Sequence, residues 1–247
     1  MKIAAVQFAP VPGDVTANAG AVADSIRTGA GRGARLVVFP ETTVTGYHPG
    51  LLAEDPGLVL TGDDDDRLRP VREACRETGT AAVVNAFVAT AAGRPAITSL
   101  VYGPDGEPLT RYDKRHLHGV ETELFEPGTA DGAFVLDGVR FALATCYDNR
   151  FPEVARRARE AGAPVYLASS VLELGNDSFD GVYPVRAREN GLYVVLANAL
   201  GVNDCGDCRG GSAIWGPDGT LLATAGPAAP GLAVADLPVR AAAHGGS

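Results

Sequence analysis

The stretch VRFALATCYDNRFPE, residues 139–153, joins an apolar run to a cluster of polar groups through a single cysteine. Residues 141–144 are continuously apolar and follow Asp137-Gly138, the pattern of a strand buried on both faces. Residues 149–152 then open a helix, with Pro152 suited to its first turn, where no backbone donor is required. Cys146 falls at the junction. A thiol there lies beside backbone N–H groups that lack helical partners, and these stabilise a thiolate and can hold an oxyanion. By residue type alone a cysteine is more often a small core side chain. Reading Cys146 as a nucleophile therefore depends on what the rest of the chain supplies.

Moving outward, a chain of 247 residues can bury a large core, and no linker or low-complexity tract divides it, so residues 1–247 are expected to form one domain. A formal charge of −9 argues against nucleic acid or an anionic membrane as a partner, because both require a basic face. The opening MKIAAVQFAP is too short an apolar run for a signal peptide and reads as a first strand. No apolar stretch reaches membrane-spanning length, and four cysteines in a chain of this size do not suggest a disulfide framework, so the cytoplasm is the expected location. Lysine is scarce, with only Lys2 and Lys114 against nineteen arginines, which makes Lys114 conspicuous.

Strands are expected at residues 2–8, 35–39, 81–88, 97–102, up to Tyr112, and at 134–136, 139–145, 165–168, 192–199, 212–215, 221–225 and 232–237, with a frayed tail beyond. Helical spacing links Val15, Ala19, Val22 and Ile26, and Gly29, Gly31 and Gly33 are read as that helix's end. Further helices are expected over 152–162 and up to Asn190. The acids at 63–66 read as the charged opening of a helix carrying Val71 and Cys75, its start shifted by Pro70. They do not read as a metal site, since adjacent aspartates on a helix diverge. GPDG turns at 103–106 and 216–219 occupy similar surroundings in two halves, which points to a pseudo-symmetric pair of sheets with helices outside. Alternating strands and helices place the chain in the α/β class, and its hairpins make the sheets mixed.

Glu41, Lys114 and Cys146 each stand just past an expected strand. Strand ends of a layered α/β fold line a common crevice, so the three can meet. Their chemistries are complementary: a thiol attacks a carbonyl, a carboxylate carries its proton to the leaving amine, and an ammonium steadies the oxyanion. LVVFPETTVTGY (36–47), YDKRHLHGVETELFEPG (112–128) and ATCYDNRFPE (144–153) resemble, in this order, the glutamate, lysine and cysteine motifs of the nitrilase superfamily of carbon-nitrogen hydrolases. RARENGLYVVLANALG (186–201) and GGSAIWGPDGTLLA (210–223) are similar to that family's later helix, strand and hairpin, so the resemblance covers nearly the whole chain.

The resemblance implies a four-layer α-β-β-α sandwich, a Glu-Lys-Cys triad, no metal or organic cofactor, and a homodimer or larger homo-oligomer. Carried over by residue, Glu41 is the general base, Lys114 the oxyanion stabiliser and Cys146 the nucleophile. Glu121 matches a second family glutamate that orients the lysine or the hydrolytic water, and the backbone N–H of Tyr147 is the second oxyanion donor. Tyr-Asp after the cysteine is similar to amidases and carbamoylases rather than nitrile-cleaving members, so a small-molecule amide is the expected substrate. Arg150 matches a position that grips a substrate carboxylate in some members, which would favour ω-amides of dicarboxylic acids or N-carbamoyl amino acids. An ion pair with Asp148 or Glu153 is its structural alternative. Cys205 and Cys208 form an isolated CxxC, read as two thiols on a glycine-rich loop in preference to a zinc or redox site. His118, where the family often has an aromatic residue, is expected near the pocket entrance, and Trp215 in the core or an interface. A binding protein that has lost catalysis and a thiol redox protein remain the readings from other classes.

Overall fold

The computed structural model describes residues 1–239, and the fraying expected of the tail from residue 240 onward lies outside them. Its first strands are β1 (Lys2–Gln7), β2 (Leu36–Val38), β3 (Ala81–Val88), β4 (Ala96–Tyr102) and β5 (Pro108–Asp113). They are followed by β6 (Gly132–Leu136), β7 (Val139–Thr145), β8 (Val165–Ser170) and β9 (Tyr193–Asn198), a small hairpin of β10 (Leu200–Asn203) and β11 (Gly206–Arg209), and finally β12 (Ala213–Trp215), β13 (Leu221–Thr224) and β14 (Gly231–Asp236). Two six-stranded mixed sheets result, ordered β14-β1-β2-β3-β4-β5 and β13-β12-β9-β8-β7-β6. In the first, β1, β2 and β3 are parallel; in the second, β7, β8 and β9 are.

Alternation along the strands builds four layers. On β1, Ile3 and Ala5 face the second sheet and pack with Phe141, Leu143, Val165 and Val195, whereas Ala4 and Val6 face outward. The outward set is covered by α1 (Val15–Gly31) and α2 (Arg69–Thr78) through Ala19, Val22, Ile26, Val71 and Ala74. A four-residue α3 (Glu121–Leu124) sits between the sheets in sequence. The outer face of the second sheet, with Ala144, Tyr166, Ala168 and Leu196, is covered by α4 (Pro152–Glu160) and by α6 (Tyr183–Asn190), which follows the single turn α5 (Ser178–Gly181). Trp215 is buried in this layer, stacked on Tyr183 at 5.9 Å. The two GPDG turns are built alike: Gly106 N donates to Gly103 O, and Gly219 N to Gly216 O.

Three sequence expectations are corrected. Gly29 does not end α1, which runs through it to Gly31. A Cβ at Gly29 would stand 2.8 Å from Val37 Cγ2, so this glycine marks a close approach of helix to strand; Gly33, at φ +83°, lies beyond the helix end. Asp63, Asp64 and Asp66 are not the acidic first turn of α2, which starts at Arg69 with Pro70 inside its first turn. Instead Asp65 caps a short 3-10 turn, Asp66–Leu68, and accepts from Thr61 N and from the backbone and side chain of Arg67. Finally, Cys205 and Cys208 belong to a regular hairpin in which Asn203 pairs with Gly206 and Gly201 with Cys208. Cys205 lies in its turn.

Candidate active site

The strand ends converge as the parallel pattern requires. β2 runs into Pro40 and Glu41, β5 into Lys114, β7 into Cys146, and β8 into residues 171–173. These ends are tied across the two sheets, since Ser169 Oγ donates to Phe39 O at 2.8 Å and Ser99 Oγ lies 3.5 Å from Thr145 Oγ1. Together they wall a cavity of about 510 Å³ that contains Glu41, Lys114, Glu121 and Cys146.

Glu41, Lys114 and Glu121 are each 1% exposed. Lys114 Nζ donates to Glu41 Oε1 at 2.8 Å and to Glu121 Oε1 at 2.7 Å. Glu121 is held from the other side by the Tyr47 hydroxyl at 2.7 Å and by His118 N at 2.8 Å. Three donor contacts on one buried carboxylate leave it little freedom. The remaining oxygen of Glu41, Oε2, is buried without a hydrogen-bond partner, an acceptor left open beside the thiol. Burial pushes the Glu41 carboxyl up to about 7; the Lys114 ammonium opposes this and the Glu121 charge adds to it. For Lys114, burial works against the charged form, but Glu41, Cys146 and Glu121 outweigh it and hold the ammonium firmly protonated. The Cys146 thiol is raised well above its ordinary value, by burial first and by Glu41 next. At neutral pH the site therefore holds a thiol, a permanent cation and a carboxylate poised to titrate.

Local backbone structure aims these groups. Cys146 has φ +44°, unusual for a residue with a side chain, and opens a 3-10 turn, Cys146–Arg150. Thr145 and Asp148 form a capping box around it, and Asn149 Nδ2 donates to Cys146 O at 2.8 Å. Asp148 is fully buried and also accepts from the Tyr112 hydroxyl and from His116 N. The thiol is 3.4 Å from Val171 O. As second residue of that turn, Tyr147 has a backbone N–H without a partner inside it. The turn after Glu41 is strained in the same sense: Thr42 has φ +48°, and its N–H is held by Asn85 Oδ1 at 2.7 Å.

The other residues singled out by sequence fall as follows. His118 lines the cavity and packs on the Tyr147 ring at 4.6 Å. Arg150 also lines it, but its ion partner is neither Asp148 nor Glu153: Nη2 is 2.5 Å from Asp177 Oδ1, because the 3-10 turn directs it toward the loop after β8. Cys205 reaches the cavity wall too, which its position in the hairpin turn explains. Sequence reasoning missed Tyr47, Asp148 and Asn149 as parts of this site, although all three lie inside the quoted motifs. It also missed Glu173 and Asn176, for which the sequence carries no signal.

A family model for carbon-nitrogen hydrolases matches residues 2–244. An (R)-stereoselective amidase of Pseudomonas sp is 33% identical over 234 residues, covering 92% of this chain and 81% of that protein. A 2-oxoglutaramate amidase of Bacillus subtilis is 30% identical over 198 residues, covering 78% and 74%. Among solved structures, a mutant of the amidase from Nesterenkonia sp. AN1, carrying the product of acrylamide addition at its active-site cysteine, superposes with a TM-score of 0.86 at 31% identity, over 96% of this chain and 93% of that one. With a sandwich of two mixed sheets, a buried glutamate, lysine and cysteine at converging strand ends, and these likenesses, the chain belongs to the carbon-nitrogen hydrolases of the nitrilase superfamily.

Proposed function

We propose that the protein hydrolyses the carbon-nitrogen bond of a small amide through a thioester on Cys146. The observation that carries this reading is the open acceptor Glu41 Oε2 in the same cavity as the Cys146 thiol, with Lys114 Nζ bonded to the other oxygen of that carboxylate. Glu41 takes the thiol proton as sulfur attacks the carbonyl carbon. The tetrahedral oxyanion is held by Lys114 and by the Tyr147 N–H, a pair of fixed donors of the kind whose individual loss costs about 3 kcal/mol of barrier. Glu41 returns the proton to the leaving nitrogen, the carbon-nitrogen bond breaks, and ammonia or an amine departs. A water that gives its proton to Glu41 then attacks the thioester, releasing the acid and the thiol. Glu121 positions Lys114 throughout.

The relatives named above support an amide over a nitrile. An ω-amide or an N-carbamoyl amino acid would use Arg150, and for that a substrate carboxylate must compete with Asp177 for the guanidinium. The same proposal takes residues 1–247 as one domain, supported by β14 returning to pair with β1, and expects a cytoplasmic homodimer or larger homo-oligomer. Ammonia release from a panel of amides, N-carbamoyl compounds and nitriles, compared between wild type and Cys146→Ala, tests the chemistry. Release is expected from amides and should vanish in the mutant while its melting profile stays folded. Release surviving the substitution would exclude Cys146 as nucleophile, and a folded wild type inert to the whole panel would favour a binding role.

A further inference from the structure

The cavity contains charged groups that this chemistry does not use. Arg150 is locally neutralised by Asp177 at its rim. Glu173 is different: it lines the cavity, is half-buried, and forms no ion pair among the described residues. One of its oxygens, Oε1, accepts from Asn176 Nδ2 at 3.1 Å, which orients the carboxylate without neutralising it. Its backbone is fixed as well. Glu173 bridges to Cys208, Leu174 N donates to Asp207 O at 2.7 Å, and Asn176 N donates to Glu173 O at 3.2 Å. The thiols next to it, Cys205 and Cys208, carry no positive charge, and the Cys208 thiol is pushed up to about 11 by burial with Glu173 adding to the shift.

The position suits recognition of a substrate's far end. Val171 O touches the Cys146 thiol at 3.4 Å, and Glu173 follows two residues later. Two residues of chain span at most about 7 Å, the length of a short acyl chain. Deeper in the cavity, one lysine faces two carboxylates, so the buried trio adds no positive charge to offset Glu173. Resting on the amidase reading above, we propose that Glu173 is a specificity-determining residue that selects amides whose acyl part carries a protonated amine a few carbons from the carbonyl.

The test is ammonia release from three amides of equal length: 5-aminopentanamide, hexanamide and adipic acid monoamide. Wild type should prefer the ammonium compound, with the carboxylate compound poorest. Glu173→Gln, a near-isosteric change that still accepts from Asn176, should raise KM for 5-aminopentanamide about 10- to 100-fold, the range for losing a charged hydrogen bond, with kcat little changed. The ratio of kcat/KM for 5-aminopentanamide to that for hexanamide should fall by a similar factor. Glu173→Lys should move the preference toward the carboxylate compound. Equal or better use of hexanamide or adipic acid monoamide by wild type would overturn the assignment while leaving the amidase reading intact, as would a Glu173→Gln that slows all three alike. Wild type releasing ammonia from none of the three overturns this assignment alone, whereas inertness to the whole wider panel, or release that survives Cys146→Ala, overturns the amidase reading and takes this one with it.

Discussion

At Cys146 the backbone holds φ +44°, a conformation costing a residue with a Cβ about 1–2 kcal/mol, and the bonds from Asn149 and Asp148 keep it there. That strain turns the thiol into the cavity it shares with Glu41, and under the proposed mechanism the titration of Glu41 should govern rate. The base must be ionised, and burial places its pKa at about 7. Hence kcat/KM is expected to rise with pH through this value, and below it to fall about tenfold per pH unit. A pH-rate profile checks this; a profile flat from pH 5 to 8 would remove Glu41 as base. Glu41→Gln should lose activity by about 10²- to 10⁴-fold. Farther out, Tyr47→Phe deletes one donor to Glu121 and leaves the Lys114 contacts in place. Loss of that bond, worth about 1.5–3 kcal/mol when the acceptor is charged, predicts a fall in kcat/KM of about 10- to 150-fold without loss of fold. Glu41 and Cys146 were legible because each ends an apolar run, and Lys114 because lysine is scarce and this one follows an expected strand. Tyr47 and Glu173 were not, because the roles proposed for them arise only when separate loops are folded against one cavity.

Among the elements, the junction of β7 with its 3-10 turn depends on Asp148, which is fully buried and serves Tyr112, His116 and Thr145 together. Asp148→Ala leaves those donors unpaired and should destabilise the protein by about 3–5 kcal/mol in urea unfolding, with activity falling as the Cys146 turn relaxes. α1 offers a paired test. Gly20 has open space where a Cβ would be added, so Gly20→Ala should stabilise by about 0.5–1 kcal/mol, whereas Gly29→Ala must push Val37 aside and should cost about 1–3 kcal/mol. Thermal melts of the two variants should shift in opposite directions. From sequence Gly29 read as the helix's end, because the close approach that requires it is settled only by the packing of helix on sheet. The same blindness made the Cys205 region a loop: the cross-strand bonds of the β10-β11 hairpin leave little trace in its glycine-rich composition.

For the whole molecule, two sheets with helices outside were legible from the succession of strands and helices, and the four layers from the family resemblance, while the return of the chain was not. β14 lies beside β1 with six paired residues from Lys2 with Asp236 to Gln7 with Gly231, so the last described strand completes the first sheet. Removing residues 231–247 should uncover β1 and part of the inter-sheet core, including Ala233. Fully burying a large apolar side chain contributes about 1.5–3 kcal/mol, and Leu232 and Val234 are half-buried, so the loss of their contacts alone predicts about 1.5–3 kcal/mol of destabilisation, read from the urea midpoint. The scarcity of lysine has a different consequence. A lysine-specific protease has two sites here, and cutting after Lys2 removes only two residues. The other bond lies after Lys114, whose side chain is sealed between two carboxylates at the meeting of the sheets. Cleavage there would divide the chain into one piece holding β1 to β5 and another holding β6 to β14. Digestion with such a protease therefore works as a clock for the opening of the centre itself, blind to fraying anywhere else on the surface.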